Sequence, residues 1–466
     1  MEIDDIKEKI GAKANSIKCD VEVKAEELKL VAADKAEELK HAAVDKAGEL
    51  KHAAIDKAEE LKHVATDKAE ELREITVEKV EEINFNTSDL SRDAFMLKGA
   101  LAEEGYDWWW HSFTGINEKT GKEKAFFIEF FAINPALGGP EPILGQLPQN
   151  IDEGNKPSYM MVKCGAWGEN PVQLHRFFGW DNVTIKEDIP YHISSGECFC
   201  SETRTMGKVD ISEEDAASHP EWMCDAGKML WDLKIDKKVA FNVGYGAGKA
   251  LRDVDAFEMF WHAEGMKTAF EGTVYFNGEK YIVTPDTCYG YADKNWGKDF
   301  TSPWVWLSSN NLTSNITGEK LNNSVFDIGG GRPKVGPVAL DRKLLGAFWY
   351  EGTPYEFNFS KVWTLAKTRF ACKDNDEKVV WRVEQETPTA KMQTQITCFK
   401  KDMLLVNYEA PNGEKKHKKL WNGGTGFGNI KLYKKKMPYL TGDEWELIDD
   451  IDVKNAGCEY GEYEED

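Results

Sequence analysis

Two hydrophobic periods divide the chain. Over residues 1–84 the pattern repeats every 11 residues. Asp-Lys-Ala-Glu-Glu-Leu runs at 34–39, 56–61 and 67–72, with a glycine variant at 45–50 and weaker copies at 23–28 and 78–83. Leu28, Leu39, Leu50, Leu61, Leu72 and Ile83 are therefore in phase. Eleven residues make three turns at about 3.67 per turn, close to a relaxed α-helix. The pattern predicts a continuous helix over Val21–Ile83, on the order of 95 Å long at about 1.5 Å per residue. Its apolar stripe (Ala36, Leu39, Ala43, then Ala47, Leu50, Ala54) is narrow and rich in alanine. Such a stripe needs a partner helix, an apolar surface or a high intrinsic helix propensity, and alanine, leucine, lysine and glutamate supply the last. His41, His52 and His63 share the period, but at about 16 Å apart they cannot share one metal ion.

From Asn84 to Lys436 the period shortens to that of strands. Aromatic and β-branched runs occur at Ala125–Ile133, Tyr159–Val162, Val239–Val243, Thr273–Phe276, Lys280–Val283, Trp304–Ser308, Lys378–Val383, Thr394–Phe399 and Met403–Tyr408. Turn signals separate them, and Asn277-Gly278 between two such runs predicts a hairpin. This spacing favours barrels or sandwiches. One short helix is expected at Ser91–Glu104, with Leu97 and Leu101 four apart. From Thr441 onward about 11 acids face one base, which predicts a loose acidic tail.

The 466 residues, 41% hydrophobic and 12% aromatic, provide material for a packed core and two or three domains. A net charge of -22 argues against nonspecific nucleic-acid binding. Part of the excess lies in residues 1–84, with about 23 acids against 15 bases. No apolar run reaches the roughly 20 residues that span a bilayer. The nine cysteines are scattered, without CxxC or Cys/His zinc spacing, and the N-terminus lacks a signal peptide's apolar stretch. Free thiols in a cytoplasmic protein are the expectation, with no metal and no cofactor. Gly329-Gly330-Gly331-Arg332 lacks the Lys-Ser/Thr of a P-loop, and Gly244–Gly248 is no dinucleotide fingerprint in an all-β setting.

Of 16 tryptophans, fifteen lie between Trp108 and Trp421. Trp108-Trp109-Trp110 precedes His111. The densest polar-aromatic stretch is Tyr289-Gly290-Tyr291-Ala292-Asp293-Lys294-Asn295-Trp296-Gly297, followed by Trp304-Val305-Trp306. It resembles the G-Y-A-[DE]-K-N-W-G signature of tocopherol cyclases and their W-x-W strand; a related stretch occurs in carotenoid hydratases and other lipocalin-like proteins. Glu271–Tyr275, Phe359–Trp363 and Trp421–Gly424 extend the likeness, which covers about 85–437. The resemblance implies a mainly β protein of two consecutive lipocalin-like β-barrels, 85–299 and 300–437. The 11-mer helix (1–84) precedes them and the acidic tail (438–466) follows.

The resemblance also implies chemistry. Tocopherol cyclases protonate a prenyl double bond and trap the tertiary cation with a neighbouring phenol. That needs an acid, a dry pocket and aromatic faces. Asp293 fills the acidic place of the signature, and Lys294 beside it, also counted among the catalytic candidates, would oppose its protonation. Glu129 is a second candidate acid: it shares a strand face with Phe127 and Phe131, where a carboxylate is costly unless paired or protonated. His111 is a candidate base for a phenol. Trp108, Trp109, Trp110, Tyr291, Asn295, Trp296, Trp304 and Trp306 are the expected substrate-lining set. The implied activity is a cofactor-free ring-closing isomerase (an intramolecular lyase) acting on a phenol that bears a C=C bond. Alternatives are a chalcone isomerase-type addition of a phenolate to an enone, hydration of an apolar polyene, and non-catalytic carriage of an apolar ligand. Residues 1–84 are expected to mediate self-association or contact with a lipid surface.

Overall fold

A computed structural model describes residue 85 and residues 88–186, 189–242, 259–300, 303–332, 334–335, 338–339, 343–359, 365–413, 419–436 and 444–462. The repeat over 1–84 and the glycine run 244–248 lie outside the described residues. The structure is mostly β, in two large antiparallel sheets joined through residues 298–303.

The first sheet begins with β1 (Tyr106–Asn117), β2 (Glu123–Ile133), β3 (Tyr159–Ala166) and β4 (Val172–Phe178). The short strands β5 (Val183–Lys186), β6 (His192–Ser195) and β7 (Cys198–Ser201) follow, then β8 (Arg204–Ile211) and β9 (Gly227–Phe241). It ends with β10 (Met259–Phe276), β11 (Glu279–Val283) and β12 (Gly290–Gly297). The spatial order is β4-β3-β2-β1-β11-β10-β9-β8-β7-β6-β5, with β12 between β1 and β10. Asn277 and Gly278, at φ 48° and 85°, make the β10–β11 turn, whose two positive φ angles match the right-handed strand twist. The sheet rolls up, so that Leu174 of β4 and Val209 of β8 share a core with Phe126 and Val274.

The second sheet is built from β13 (Trp304–Ser309), β14 (Asn311–Ser314) and β15 (Val325–Gly331). A separate ribbon of β16 (Lys334–Val335) and β17 (Val338–Ala339) precedes β18 (Lys343–Tyr350), β19 (Thr353–Phe357) and β20 (Lys367–Asp374). β21 (Lys378–Glu386), β22 (Ala390–Phe399), β23 (Leu404–Val406), β24 (Lys419–Lys435) and β25 (Trp445–Glu462) complete it. Leu307, Ile328, Phe348, Trp381, Ile396 and Ile430 fill its interior.

Two local expectations change. The helix expected over Ser91–Glu104 is two single turns, α1 (Leu90–Asp93) and α2 (Ala100–Glu103). Gly99, at φ 57°, lies between them, and Phe95 and Leu97 enter the first core instead of lining a helix face. The expected acidic tail contains β25, which pairs with β13, β14 and β24. Ile451 and Val453 are buried while Asp450 and Asp452 are not, so a period of two lies beneath the charge.

A third apolar cluster lies between the sheets. It joins Trp110, Phe127, Phe131, Trp261 and Tyr291 of the first to Trp304, Trp306, Trp349 and Val406 of the second, and to Tyr408 just beyond β23. Glycines admit the large rings. A Cβ on Gly329 would lie 3.1 Å from the Trp261 ring, and one on Gly457 only 2.2 Å from Trp306. In the Gly329–Gly331 run it is Gly329 that serves ring packing.

Candidate active site

Strand alternation sorts the candidate residues onto two faces of the first sheet. In register, Asp293 lies opposite Trp110, Trp110 opposite Glu129, Glu129 opposite Lys163 and Lys163 opposite His175. These five residues form one row across β12, β1, β2, β3 and β4, on the face toward the second sheet. At about 4.8 Å per strand, Asp293 and Glu129 flank Trp110 with backbones roughly 10 Å apart. The next row on the same face contains Asn295, Trp108, Phe131 and Met161.

The second sheet supplies the opposing wall. Tyr408 stacks on Trp108 at 5.4 Å and donates to Glu129 Oε2 at 3.0 Å. Lys163 Nζ lies 2.9 Å from the same oxygen, donates to the Tyr408 hydroxyl at 2.7 Å and sits 4.1 Å from that ring's centre. Glu129 is fully buried, and its Oε1 has no hydrogen-bond partner among the described residues. Trp304 donates to Glu459, which also accepts from Asn422.

Asp293 is held by a separate group of donors. Trp261 Nε1 donates to its Oδ2 at 2.9 Å and the Tyr291 hydroxyl at 3.1 Å. Trp306 Nε1 donates to the Tyr291 oxygen at 3.1 Å and to Asp327 Oδ1 at 3.2 Å. Burial pushes Asp293 up to about 7; the Trp261 bond pulls down and the Glu459 carboxyl pushes up. Burial, then the Asp293 charge, raises Asp327 well above the carboxylate range. Burial also raises Tyr291 and Tyr408, keeping both hydroxyls protonated as donors. His175 is pushed down to about 3 by burial and the Lys163 charge, so its ring is neutral. With Tyr159, Met161, Phe177 and Tyr408 it borders a cavity of about 30 Å³, room for one or two waters.

Asp293, Glu129, Trp108, Trp110, Tyr291, Asn295, Trp304 and Trp306 therefore gather between the sheets. His111, Lys294, Trp109 and Trp296 do not: alternation turns them to the opposite face. Lys294 pairs with the buried Asp107 there and lies 4.0 Å over the Trp109 ring. The expected opposition of Lys294 to Asp293 is replaced by that pairing. Trp296 stacks on Phe260. His111 is buried 3.9 Å from Glu264, and burial and Lys237 lower it to about 3, so it is no base for the inter-sheet face.

The same interior holds Asp93, Glu202 and Glu264, whose carboxylates converge closely enough to hold a cation. Lys237 occupies that position, with Nζ 3.2, 2.6 and 2.7 Å from the three. Burial works against the lysine's charge, but the three acids outweigh it and raise Lys237. His262 lies 3.0 Å from Asp93, and burial lowers it despite that neighbour.

Lys163, Tyr408, Trp261, Asp327, Glu459 and His175 were not singled out as site residues from the sequence. One signal was present: Asp327 stands between Phe326 and Ile328, and Lys163 follows Met160-Met161-Val162, each a charge inside an apolar run. That is the pattern that marked Glu129.

No family model matches the sequence, and no curated protein matches it. Solved structures with a similar chain path include a protein provisionally assigned as AttH from Nitrosomonas europaea, at 13% identity and TM-score 0.38 over 79% of this chain and 96% of that one. CghA with Sch210972 is similar at 10% identity and TM-score 0.38, over 78% and 90%. Kievitone hydratase from Nectria haematococca is similar at 11% and 0.40, over 82% and 97%.

Proposed function

We propose that the inter-sheet face is the active site of a cofactor-free isomerase that closes an oxygen ring by adding a phenol O–H across a C=C bond. The observation that carries this reading is the row Asp293–Trp110–Glu129. It sets a buried carboxyl that keeps its proton near neutral pH against a carboxylate paired with Lys163. Two carboxyl groups whose surroundings assign them opposite proton duties are a recurrent acid–base arrangement. Asp293 gives its proton to one alkene carbon. The tertiary cation that forms lies against tryptophan faces, each contributing about 2 kcal/mol or more when desolvated. The phenol oxygen closes the ring on the cation, and its proton passes to Glu129. One C–H and one C–O bond replace one O–H bond and the alkene π bond.

A pKa near 7 makes Asp293 a weaker acid than an ordinary carboxyl. It also keeps about half of the molecules protonated at pH 7, against roughly one in a thousand otherwise. General-acid catalysis favours a pKa close to the working pH. The phenolate route has less support, because His111, its candidate base, faces the other way.

The test is turnover of ortho-prenylated phenols in deuterated water. The expected product carries one deuteron in its new C–H bond. Asp293→Asn and Glu129→Gln should each lose about 100- to 10,000-fold in kcat while remaining folded. A fully active Asp293→Asn protein forming product without deuterium would overturn the reading.

A further inference from the structure

We propose that Asp327, contributed by the second sheet, shares a proton with Asp293 of the first through the Tyr291 hydroxyl and restocks that acid after each turnover. This rests on the reading of Asp293 as the acid. Asp327 acts through Asp293 and is a positioning residue for the proton.

The geometry comes from three elements that meet between the sheets. The Tyr291 hydroxyl touches Asp293 Oδ2 at 3.1 Å and accepts the Trp306 N–H, which is shared with Asp327 Oδ1. Asp327 Oδ1 and the Tyr291 oxygen accept the same Trp306 N–H, at 3.2 and 3.1 Å, and the Tyr291 hydroxyl works against the rise that burial causes in Asp327. The Tyr291 hydroxyl thus bonds Asp293 on one side and shares the Trp306 N–H with Asp327 on the other. Asp327 is fully buried, and its Oδ2 has no hydrogen-bond partner among the described residues. Other groups act on the pair: the Trp261 and Trp108 indoles and the Glu459 carboxyl on Asp293, and the backbone of Ile328 on Asp327. Lys163, the ammonium on this face, is bound to Glu129 and Tyr408. Among the described residues no cation forms an ion pair with Asp293 or Asp327, and two carboxylates sharing donors without a cation cannot both ionise cheaply.

After Asp293 protonates the alkene, its carboxylate takes the Tyr291 hydroxyl proton, and the Tyr291 oxygen takes the proton of Asp327. Each transfer breaks one O–H bond and forms another, and no electrons change hands. The negative charge ends on Asp327, and water later returns to it the proton that Glu129 gives up.

Two measurements test this. The first needs no substrate: the protonated-carboxyl infrared band of Asp327, isolated by subtracting Asp327→Asn, is titrated with Asp293 present and in an Asp293→Asn background. Removing the opposing Asp293 charge should lower the Asp327 midpoint by about one pH unit, a tenfold change in proton affinity. An unchanged midpoint overturns the proposal. The second compares a first turnover with steady state on an ortho-prenylated phenol. Asp327→Asn should keep the first turnover and lose about tenfold or more in the steady state. Tyr291→Phe, which retains both carboxyls, should also lose about tenfold or more in the steady state and substitutes if Asp327→Asn fails to fold. An unchanged steady state in either variant overturns the relay. An Asp327 shift in a protein that turns over no prenylated phenol would support the shared proton and count against the ring-closing reaction.

Discussion

At the scale of single residues, the site is a set of charges placed where burial penalises them. Asp293 titrates near 7 in the folded protein and near 3.8 when exposed. The folded chain thus keeps a proton that the unfolded chain releases between about pH 4 and 7, and Asp293 makes stability fall as pH rises through that window. An asparagine amide at this position would not titrate. The stability of Asp293→Asn relative to the native protein should therefore rise by on the order of a few kcal/mol from about pH 4 to 7 and stay level above that. Denaturant unfolding at about pH 5 and pH 8 checks the sign; a difference that does not vary with pH would show that Asp293 ionises normally. Lys163 gives the opposite case. Lys163→Met leaves the Glu129 charge buried and unpaired, at a cost of about 3–5 kcal/mol. Adding Glu129→Gln should recover most of that loss, as measured in a double-mutant cycle. Glu129 was legible because a carboxylate inside Phe-Ile-Glu-Phe-Phe asks for an explanation. Its partner Tyr408 was not, because residues 279 apart in sequence meet only through sheet packing.

At the scale of elements, alternation decides which neighbours in sequence act together. Asp293 and Lys294 are adjacent in the signature and lie on opposite faces of β12, as do Trp109 and Trp110 on β1. The stretch that resembles the tocopherol cyclase signature marks the strand without marking its faces. The period of two would have separated them once β1 and β12 were known to pair, and that pairing spans more than 180 residues of chain. The same period was hidden in β25 by acids on its outward face. Ring packing across elements adds a further dependence. In Gly457→Ala the new Cβ would meet the Trp306 ring at 2.2 Å, so the indole must move and release Tyr291 and Asp327. The expected cost is about 1–3 kcal/mol with a larger proportional loss of activity, read by unfolding and kcat together. Unchanged stability and activity would mean that the ring has room to shift.

At the scale of the whole molecule, two rolled sheets each close around their own core and bury a third, aromatic layer between them. The β class and the paired sheets were legible from strand runs, turn residues and the resemblance. The layer between them was not, because its members come from both sheets. The N-terminal approach belongs to this architecture. Phe85 stacks on Phe241 of the first sheet at 5.5 Å and on Trp349 of the second at 6.2 Å. Asp93 then enters the first core beside Lys237 and His262. A chain beginning at Phe85 should keep cooperative unfolding. One beginning at Lys98, without Phe85, Asp93, Phe95 and Leu97, should lose cooperative unfolding. Failure of the longer chain to fold would tie residues 1–84 to the core.

The central claim, that the layer between the sheets holds a carboxyl kept protonated for catalysis, is tested most directly by titrating Asp293 in the intact protein. The measurement is the infrared carboxyl band of the native protein minus that of Asp293→Asn, followed against pH without any ligand. The account predicts a protonated-carboxyl band that disappears with a midpoint near 7. A midpoint near the 3.8 of an exposed aspartate would contradict it.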